Sequence, residues 1–207
     1  MKEDNSIKAL LFDLGKVLID YDHMIIINRL AALSGKSPQE LKKVLFSLYE
    51  KHSLDIGENP FILFYKDLMA YLKMTIAFDE FKKLWCDIFS VKKNMVDFIT
   101  DLRKYYTVFI LSNINEVHYE YIENNFAISR WVDEVFVSCK ERMMKPDKRL
   151  YAIILKKIGF FCSEIIFIDD KIENIDGANS AGMKTVLFCN DEQLRTDFEK
   201  FGIKCPN

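Results

Sequence analysis

The sequence has little of what marks secreted, disulfide-bonded or membrane-spanning chains. Its five cysteines are an odd number, lie far apart and include no Cys-x-x-Cys pair, which argues against a disulfide framework and a thiolate zinc site. We therefore expect reduced, mostly buried thiols in a cytoplasmic protein. The first apolar run is interrupted by Lys8 and Asp13, so neither a signal peptide nor a membrane span is predicted, and no membrane is expected as a partner. The cysteines are Cys86, Cys139, Cys162, Cys189 and Cys205.

The net charge, the hydrophobic content and the length of the chain limit the classes of protein to which it can belong. The formal net charge is −2, so the chain offers no basic surface for nucleic acid. Half of its residues are hydrophobic, with 17 Phe and 9 Tyr, which provides enough apolar surface for a substantial core. At 207 residues we expect one domain, or one domain that carries an insert.

A short apolar run at residues 9–15 delivers one carboxylate, Asp13, two residues before Gly15. Such a run is typical of a strand buried inside a parallel sheet. In open α/β sheets, ligands bind at the carboxyl ends of the strands. Asp13 is therefore expected at the place where proteins of this architecture perform chemistry.

Three later segments supply a hydroxyl and an amide, an ammonium, and a pair of carboxylates. With Asp13, these groups are what a Mg²⁺-assisted phosphoryl transfer through a covalent aspartyl-phosphate requires. Two adjacent acids repel each other, and a divalent cation relieves that repulsion. Mg²⁺ prefers hard oxygen ligands, and these segments supply no His or Cys for a zinc site. The groups are Ser112 with Asn113 after the run 108–111, Lys145 before a proline, and Asp169 with Asp170 after the run 165–168.

These segments also carry a resemblance to a known family. The motifs are Phe-Asp-Leu-Gly-Lys-Val-Leu (12–18), Leu-Ser-Asn (111–113), Lys-Pro-Asp (145–147) and Phe-Ile-Asp-Asp-x-x-x-Asn-x-x-Gly-Ala (167–178). They resemble those of the haloacid dehalogenase (HAD) superfamily of phosphohydrolases, from about Ile7 to Phe188. The Asp-Leu-Gly variant looks most like a bacterial branch that includes α-D-glucose-1-phosphate phosphatases.

The resemblance implies a role for each of these residues. Asp13 would attack phosphorus while one of its oxygens stays on Mg²⁺, and the backbone carbonyl of Gly15 would be a second metal ligand. Asp170 would be the carboxylate ligand from the last motif, with Asp169 either binding the metal as well or supporting those that do. Lys145 would neutralise the phosphate and hold Asp13 ionised.

Three polar residues would complete the site. Ser112 and Asn113 would donate hydrogen bonds to phosphate oxygens. Asn174 would orient the metal ligands or Lys145, and the alternative interpretation is that it caps the helix after the carboxylate pair. The implied partner is a small-molecule phosphate ester, for which glucose 1-phosphate is an example.

The spacing of the motifs predicts how the chain is divided. The later motifs are each about one βαβ unit apart, whereas the interval between Asp13 and Ser112 is about three times as long. We expect a Rossmann-like core of residues 1–20 and 91–207. Residues 21–90 would be inserted after the first strand as a small helical-bundle cap.

The pattern of the inserted interval is helical throughout. Residues 21–34 have apolar side chains near helical spacing, and no strand pattern follows before the core resumes. Ser37, Asn59 and Asp79 are predicted to cap three further helices. The first two run to about residues 51 and 73, and the third has an apolar face that extends from Phe81 to Phe89.

The rest of the core alternates between helix and strand, which indicates an α/β fold with a parallel sheet covered on both faces. The predicted helices are 93–104, 115–125, 148–158 and 174–181, and the predicted strands are 107–111, 134–138, 165–169 and 185–188.

Gly15 is a departure from the family pattern. Most phosphatases in the superfamily carry an Asp at this position, which protonates the leaving oxygen and then activates water. General acid–base catalysis contributes typically about 10²–10⁴-fold, so its loss would slow such an enzyme without abolishing activity. Asp20, Asp22 or a water molecule would be the substitutes, and an anomeric phosphate with its weakly basic leaving oxygen would suffer least.

Two other functions stay open on the sequence alone. A metal-free dehalogenase would share Asp13 and Lys145 but has no need of two adjacent acids. A catalytically weak or inactive binding module is the second alternative, because Gly15 replaces the family's acid, although such a protein has no need to keep Asp13. Histidines at positions 23, 52 and 118 are interpreted as surface residues, with only His23 close enough to approach the site.

Overall fold

The structure is a computed structural model that describes residues 6–205, so both ends of the predicted core, 1–5 and 206–207, lie outside the described residues. Within that range the chain forms one five-stranded sheet and one two-stranded ribbon. The strands are β1 (Ala9–Phe12), β2 (Ile19–Tyr21), β3 (Phe89–Val91), β4 (Thr107–Ser112), β5 (Glu134–Val137), β6 (Ile165–Asp169) and β7 (Lys184–Leu187).

Helices occupy the intervals between these strands, and three short 3₁₀ turns lie at 54–56, 128–130 and 162–164. The helices are α1 (His23–Ser34), α2 (Pro38–Lys51), α3 (Phe61–Leu72), α4 (Phe78–Cys86), α5 (Lys93–Leu102), α6 (Glu116–Phe126), α7 (Ser138–Glu141), α8 (Lys148–Ile158), α9 (Ile172–Ser180) and α10 (Asp191–Lys200).

The large sheet is parallel throughout, in the spatial order β5-β4-β1-β6-β7. Strand β1 is central, and its Leu11 is aligned with Phe109 of β4 on one side and Phe167 of β6 on the other. All four residues of β1 are fully buried. The carboxyl ends of β1, β4 and β6 therefore meet at one edge of the sheet.

The two faces of the sheet are covered by different helices, because successive side chains of a strand point to opposite sides. Leu10 and Phe12 belong to an apolar layer with residues of α5, α6 and α10. Leu11 belongs to the opposite layer, with residues of α8 and α9. The predicted α/β fold with a parallel sheet covered on both faces is confirmed.

Helices α1 to α4, which we call the helical insert, form an apolar core of their own around residues such as Phe64 and Trp85. Strands β2 and β3 join the insert to the sheet as an antiparallel pair, in which Tyr21 is aligned with Phe89. We expected no strand between residues 21 and 90. This was wrong for residue 21, which belongs to β2, and for residues 89–90, which belong to β3. Three-residue strands are too short to show alternation, and their partner is distant in sequence. The division at 20/21 and 90/91 stays a prediction.

Helix starts within the insert differ in part from the expected caps. Ser37 caps α2 as predicted, since its Oγ accepts from the Glu40 N–H at 3.2 Å. Asn59 does not cap α3, because Pro60 intervenes and the Asn59 amide donates to the His52 carbonyl at 3.3 Å. Asp79 lies inside the first turn of α4, after Ala77 at the cap position.

Two further expectations need correction. The five thiols are unpaired as predicted, but only Cys86 is buried and Cys189 is exposed, so the expectation of mostly buried cysteines was wrong. Helix α10 was not predicted, although its Leu194 and Phe198 are fully buried against the sheet. Among the described residues, none of the helices combines the length and apolar character that a bilayer span requires.

Candidate active site

Asp13 follows β1 directly, at the carboxyl edge of the sheet. Its N–H donates to the Ile168 carbonyl at 2.8 Å, which continues the pairing of β1 with β6 one residue further. Its side chain is only 9% exposed. Burial raises the pKa of Asp13 to about 6, although the neighbouring ammonium of Lys145 acts in the opposite direction.

Lys145 places its ammonium between two carboxylates. Its Nζ donates to Asp13 Oδ1 at 2.7 Å, to Asp169 Oδ2 at 2.6 Å and to the Leu111 carbonyl at 2.9 Å, which uses all three of its protons. Burial alone would lower the pKa of Lys145, but the charges of Asp13 and Asp169 raise it above its ordinary value. The lysine is therefore a fixed positive charge beside Asp13.

The side-chain amide of Asn113 is hydrogen-bonded to the backbone of Lys145. Its Oδ1 accepts from the Lys145 N–H at 2.8 Å, and its Nδ2 donates to the Lys145 carbonyl at 2.9 Å. The side-chain amide that the sequence analysis assigned to a phosphate oxygen is thus already bonded. Ser112, the last residue of β4, is buried and lines the same cavity as Asp13.

Asp169 has both carboxylate oxygens engaged with protein donors. Oδ1 accepts from the Lys171 N–H and from Asn174 Nδ2, both at 2.9 Å, and Oδ2 accepts from Lys145 and from Asn174 Nδ2 at 3.0 Å. Asn174 lies inside α9, whose cap position is Lys171. The alternative interpretation of Asn174 as a helix cap was therefore wrong.

Asp170 differs from its neighbour in having an unpartnered oxygen. Its Oδ1 is buried and makes no hydrogen bond with any described residue. One ligand oxygen each of Asp13, Asp169 and Asp170 lie within 4.8 Å of one another. Burial, and next the charge of Asp169, raise the pKa of Asp170. An orphaned buried carboxylate oxygen in an all-oxygen cluster fits a hard divalent cation such as Mg²⁺.

Asp20 and Asp22, the two carboxylates expected to replace a general acid at position 15, have other partners. Asp20 forms an ion pair with Lys16, and Asp22 caps α1 by accepting from the Met24 N–H at 2.8 Å. Both line a second cavity that does not contain Asp13. The ring of Tyr21 instead lies beside Gly15 and lines the cavity of Asp13.

The cavity that contains Asp13 has a volume of about 540 Å³ and lies between the sheet edge and the helical insert. The residues that line the cavity on the insert side were not predicted from the sequence, because no local pattern distinguishes a cavity-lining aromatic residue from a core one. These walls are His23, Leu45, Phe46, Tyr49, Glu50, Asp55 and Trp85.

Histidine placement corrects the sequence analysis. His118 is buried, stacks on Trp85 with an interplanar angle of 10°, and faces Asn115 at 2.9 Å through Nδ1. Burial lowers the pKa of His118 to about 3, so the ring is neutral. His52 is also buried and contacts Asp67 at 3.0 Å. Both were wrongly interpreted as surface residues, whereas His23 lines the cavity as expected.

The fold and this polar edge define a class of enzyme. The family of haloacid dehalogenase-like hydrolases matches residues 7–182, and the chain belongs to that family. A D-ribitol-5-phosphate phosphatase from Bacteroides thetaiotaomicron is 26% identical over 191 residues, covering 86% of this chain and 90% of the relative. The sesquiterpene phosphatase astK of Aspergillus oryzae is 39% identical over 70 residues, or 34% of this chain and 32% of its own.

Solved structures show the same fold. A HAD-family enzyme from Bacteroides thetaiotaomicron aligns with a TM-score of 0.82 at 21% identity, covering 93% of this chain and 98% of that one. The wild-type enzyme in complex with magnesium and inorganic phosphate aligns with a TM-score of 0.78 at 22% identity, covering 87% and 93%. A predicted HAD-like hydrolase from Porphyromonas gingivalis gives 0.78 at 23% identity, covering 96% and 98%.

Proposed function

We propose that this hydrolase is a Mg²⁺-dependent phosphatase of small phosphorylated metabolites, which acts through a phosphoaspartate on Asp13. The observation that carries the proposal is the pairing of a lysine-held carboxylate, Asp13, with the unpartnered buried oxygen of Asp170. A metal-free dehalogenase would leave that oxygen without a use. The phosphatases among the relatives and the magnesium and phosphate in a structural neighbour support the same conclusion.

The residues that would hold Mg²⁺ are the carboxylates of Asp13 and Asp170 and the backbone carbonyl of Gly15. Asp169 is assigned another task, because each of its oxygens already accepts hydrogen bonds from protein donors. It positions Lys145 and is itself oriented by Asn174. The bound ion would neutralise charge on the phosphate and so lower the barrier to attack.

Lys145 donates to Oδ1 of Asp13, whose second lone pair would be left for the ion, and no described side chain donates to the other oxygen. That second oxygen forms the bond to phosphorus while the bond from phosphorus to the leaving oxygen breaks. Water then attacks the phosphoaspartate, which releases phosphate and restores the carboxylate. Lys145 and Ser112 stabilise the transferred phosphoryl group by charge and by hydrogen bonding.

The leaving oxygen finds no acid at position 15 and departs with more of its negative charge. This favours phosphate esters whose leaving oxygen is a weak base, such as the anomeric phosphate of glucose 1-phosphate. Ribitol 5-phosphate is the second substrate to assay, because the relative that covers most of this chain is named for it.

An assay with p-nitrophenyl phosphate, with Mg²⁺ and with EDTA, tests the proposal. We expect hydrolysis with Mg²⁺, a loss of about 10²-fold or more in EDTA, and recovery when Mg²⁺ is restored. A chain that turns over no phosphate ester under any condition would be a binding module. Undiminished activity in EDTA, together with turnover of a 2-haloacid, would identify a metal-free dehalogenase.

A further inference from the structure

The cavity above Asp13 has apolar walls on the side of the helical insert. Aromatic rings dominate these walls, and aromatic faces pack well against the C–H surface of a sugar ring or a polyol chain. Such walls fix a small substrate by shape and leave orientation to a few polar groups. The rings belong to Phe46, Tyr49 and Trp85 of the helical insert and to Tyr21 and Phe89 of the paired strands β2 and β3.

The charged side chains that the insert contributes to this cavity are acidic, namely Glu50 and Asp55. Residues 21–90 are all described, and no lysine or arginine among them lines the cavity. The cavity's lysines come from the core. Lys145 is bonded to Asp13 and Asp169. Burial raises the pKa of Asp55, and the hydrogen bond from Tyr49 and the charge of Lys171 act in the opposite direction. A second anionic group on the substrate would therefore meet negative charge on the insert side.

Asp55 is fixed in this cavity from two directions. Its Oδ1 accepts from the Tyr49 hydroxyl at 2.5 Å, and that hydroxyl in turn accepts from Asn115 Nδ2 at 3.0 Å. Its backbone carbonyl accepts from the Ser138 hydroxyl at 2.5 Å. Its Oδ2 makes no hydrogen bond with any described residue, so one oxygen of a preoriented carboxylate stays free to accept.

We infer that Asp55 determines which leaving group the enzyme accepts, by taking a hydrogen bond from a hydroxyl of an uncharged sugar or polyol and by repelling a second anion. The inference rests on the proposed phosphatase function. A site built to bind a substrate hydroxyl disfavours analogues without one, because the hydrogen bond to its acceptor is then lost. Placing like charges together adds discrimination against phosphorylated acids and bisphosphates.

Two hexose derivatives form a matched pair of substrates. Glucitol 6-phosphate and 6-phosphogluconate differ only at C1, where a CH₂OH group is replaced by a carboxylate. With Mg²⁺, we expect wild-type kcat/KM to favour glucitol 6-phosphate by about 10²-fold or more. The reference substrate is p-nitrophenyl phosphate. Its nitrophenyl group has no hydroxyl, and the substrate has no anionic group besides the phosphate.

Asp55→Asn tests the residue itself, because the amide oxygen can still accept from Tyr49 while the charge is removed. We expect the preference for glucitol 6-phosphate to fall at least about tenfold, with both rates measured relative to p-nitrophenyl phosphate turnover by the same variant. Glu58→Gln is the matched control, since it removes one negative charge from an exposed position of the same segment. It should leave the preference unchanged. Thermal unfolding of both variants verifies that they fold.

The outcomes separate the inference from the proposed function. A wild-type preference near one, or an equal change in Asp55→Asn and Glu58→Gln, would overturn the role of Asp55 while p-nitrophenyl phosphate hydrolysis still supports the phosphatase. If the wild type with Mg²⁺ hydrolyses no phosphate ester, both proposals fail. Should Asp55→Asn not fold, a wild-type preference near one would still overturn the inference, and a preference of about 10²-fold or more would support the rejection of a second anion.

Discussion

The ring of Tyr21 lies against Gly15, so that a Cβ built on the glycine would be 3.0 Å from Cε1 of the tyrosine. Tyr21 comes from β2, where the chain enters the helical insert, and Gly15 lies two residues beyond Asp13. A side chain at position 15 would therefore require the tyrosine ring to shift by a few tenths of an ångström. The absence of an acid at position 15 and the position of the Tyr21 ring therefore belong to the same packing arrangement.

We predict that rates depend steeply on the pKa of the leaving group, with aryl and anomeric phosphates faster than alkyl phosphates. Gly15→Asp alone should do little, because the Tyr21 ring must move to admit the new side chain. In a Tyr21→Ala background, Gly15→Asp should speed alkyl phosphates by up to about 10²-fold over Tyr21→Ala. The measurement is kcat for a series of phosphate esters.

One outcome of this measurement would contradict the prediction. If the wild-type rate is insensitive to leaving-group pKa, with chemistry shown to be rate-limiting, another residue must protonate the leaving oxygen. Asp20 and Asp22 would not be the first positions to mutate, because they line a different cavity.

Asp13→Asn should retain the fold and lose more than about 10³-fold in kcat, because no neighbouring group replaces a covalent nucleophile. Stopped-turnover mass spectrometry should find a phosphoryl group on Asp13 of the wild type. Asp176→Asn removes an acid from the exposed surface of α9 and should leave kcat unchanged. A phosphoryl group on another residue, or an active Asp13→Asn, would remove Asp13 as the nucleophile.

The two adjacent acids should respond differently to truncation. Asp170→Ala should raise the Mg²⁺ concentration needed for half-maximal activity by about tenfold or more, because it removes the unpartnered oxygen. Asp169→Ala should mainly destabilise the fold, by about 3–5 kcal/mol, because it leaves part of the buried Lys145 charge uncompensated. Mg²⁺ titration by calorimetry and urea unfolding separate the two effects. Equal effects of both variants on Mg²⁺ affinity would contradict this division of labour.

His118 should make stability depend on pH. Its pKa in the folded protein is about 3, below the ordinary 6.5, so only the unfolded chain binds a proton between these values. The stability it contributes is complete above pH 6.5 and is lost as pH falls toward 3, by up to about 1.4 kcal/mol per pH unit. His118→Gln should show a shallower slope between pH 6 and 4 than the wild type in urea unfolding. Parallel slopes would mean that His118 is not buried in its neutral form.

Local patterns were sufficient wherever the structure depends on neighbours in sequence. Helix α8 and strand β6 have the predicted bounds, since a Pro-Asp start and a buried β-branched run are local signals. Asn59 does not cap α3, because Pro60 takes the cap position and the Asn59 amide donates to the His52 carbonyl. The neutral, buried state of His118 depends on stacking with Trp85 from another helix, which no sequence window contains.

The sequence by itself determined that three buried runs, each followed by polar residues, end at one edge of a parallel sheet, because continuous apolar runs mark buried parallel strands and ligands bind at their carboxyl ends. It placed Asp13, Lys145, Asp169 and Asp170 in one neighbourhood. Only the tertiary structure decided how they divide their tasks, since the free oxygen of Asp170 and the saturated oxygens of Asp169 depend on donors elsewhere in the chain. The tertiary structure also placed Asp55 at the cavity. Helix formation can be predicted from local sequence, but packing between separate helices depends on residues far apart in the chain.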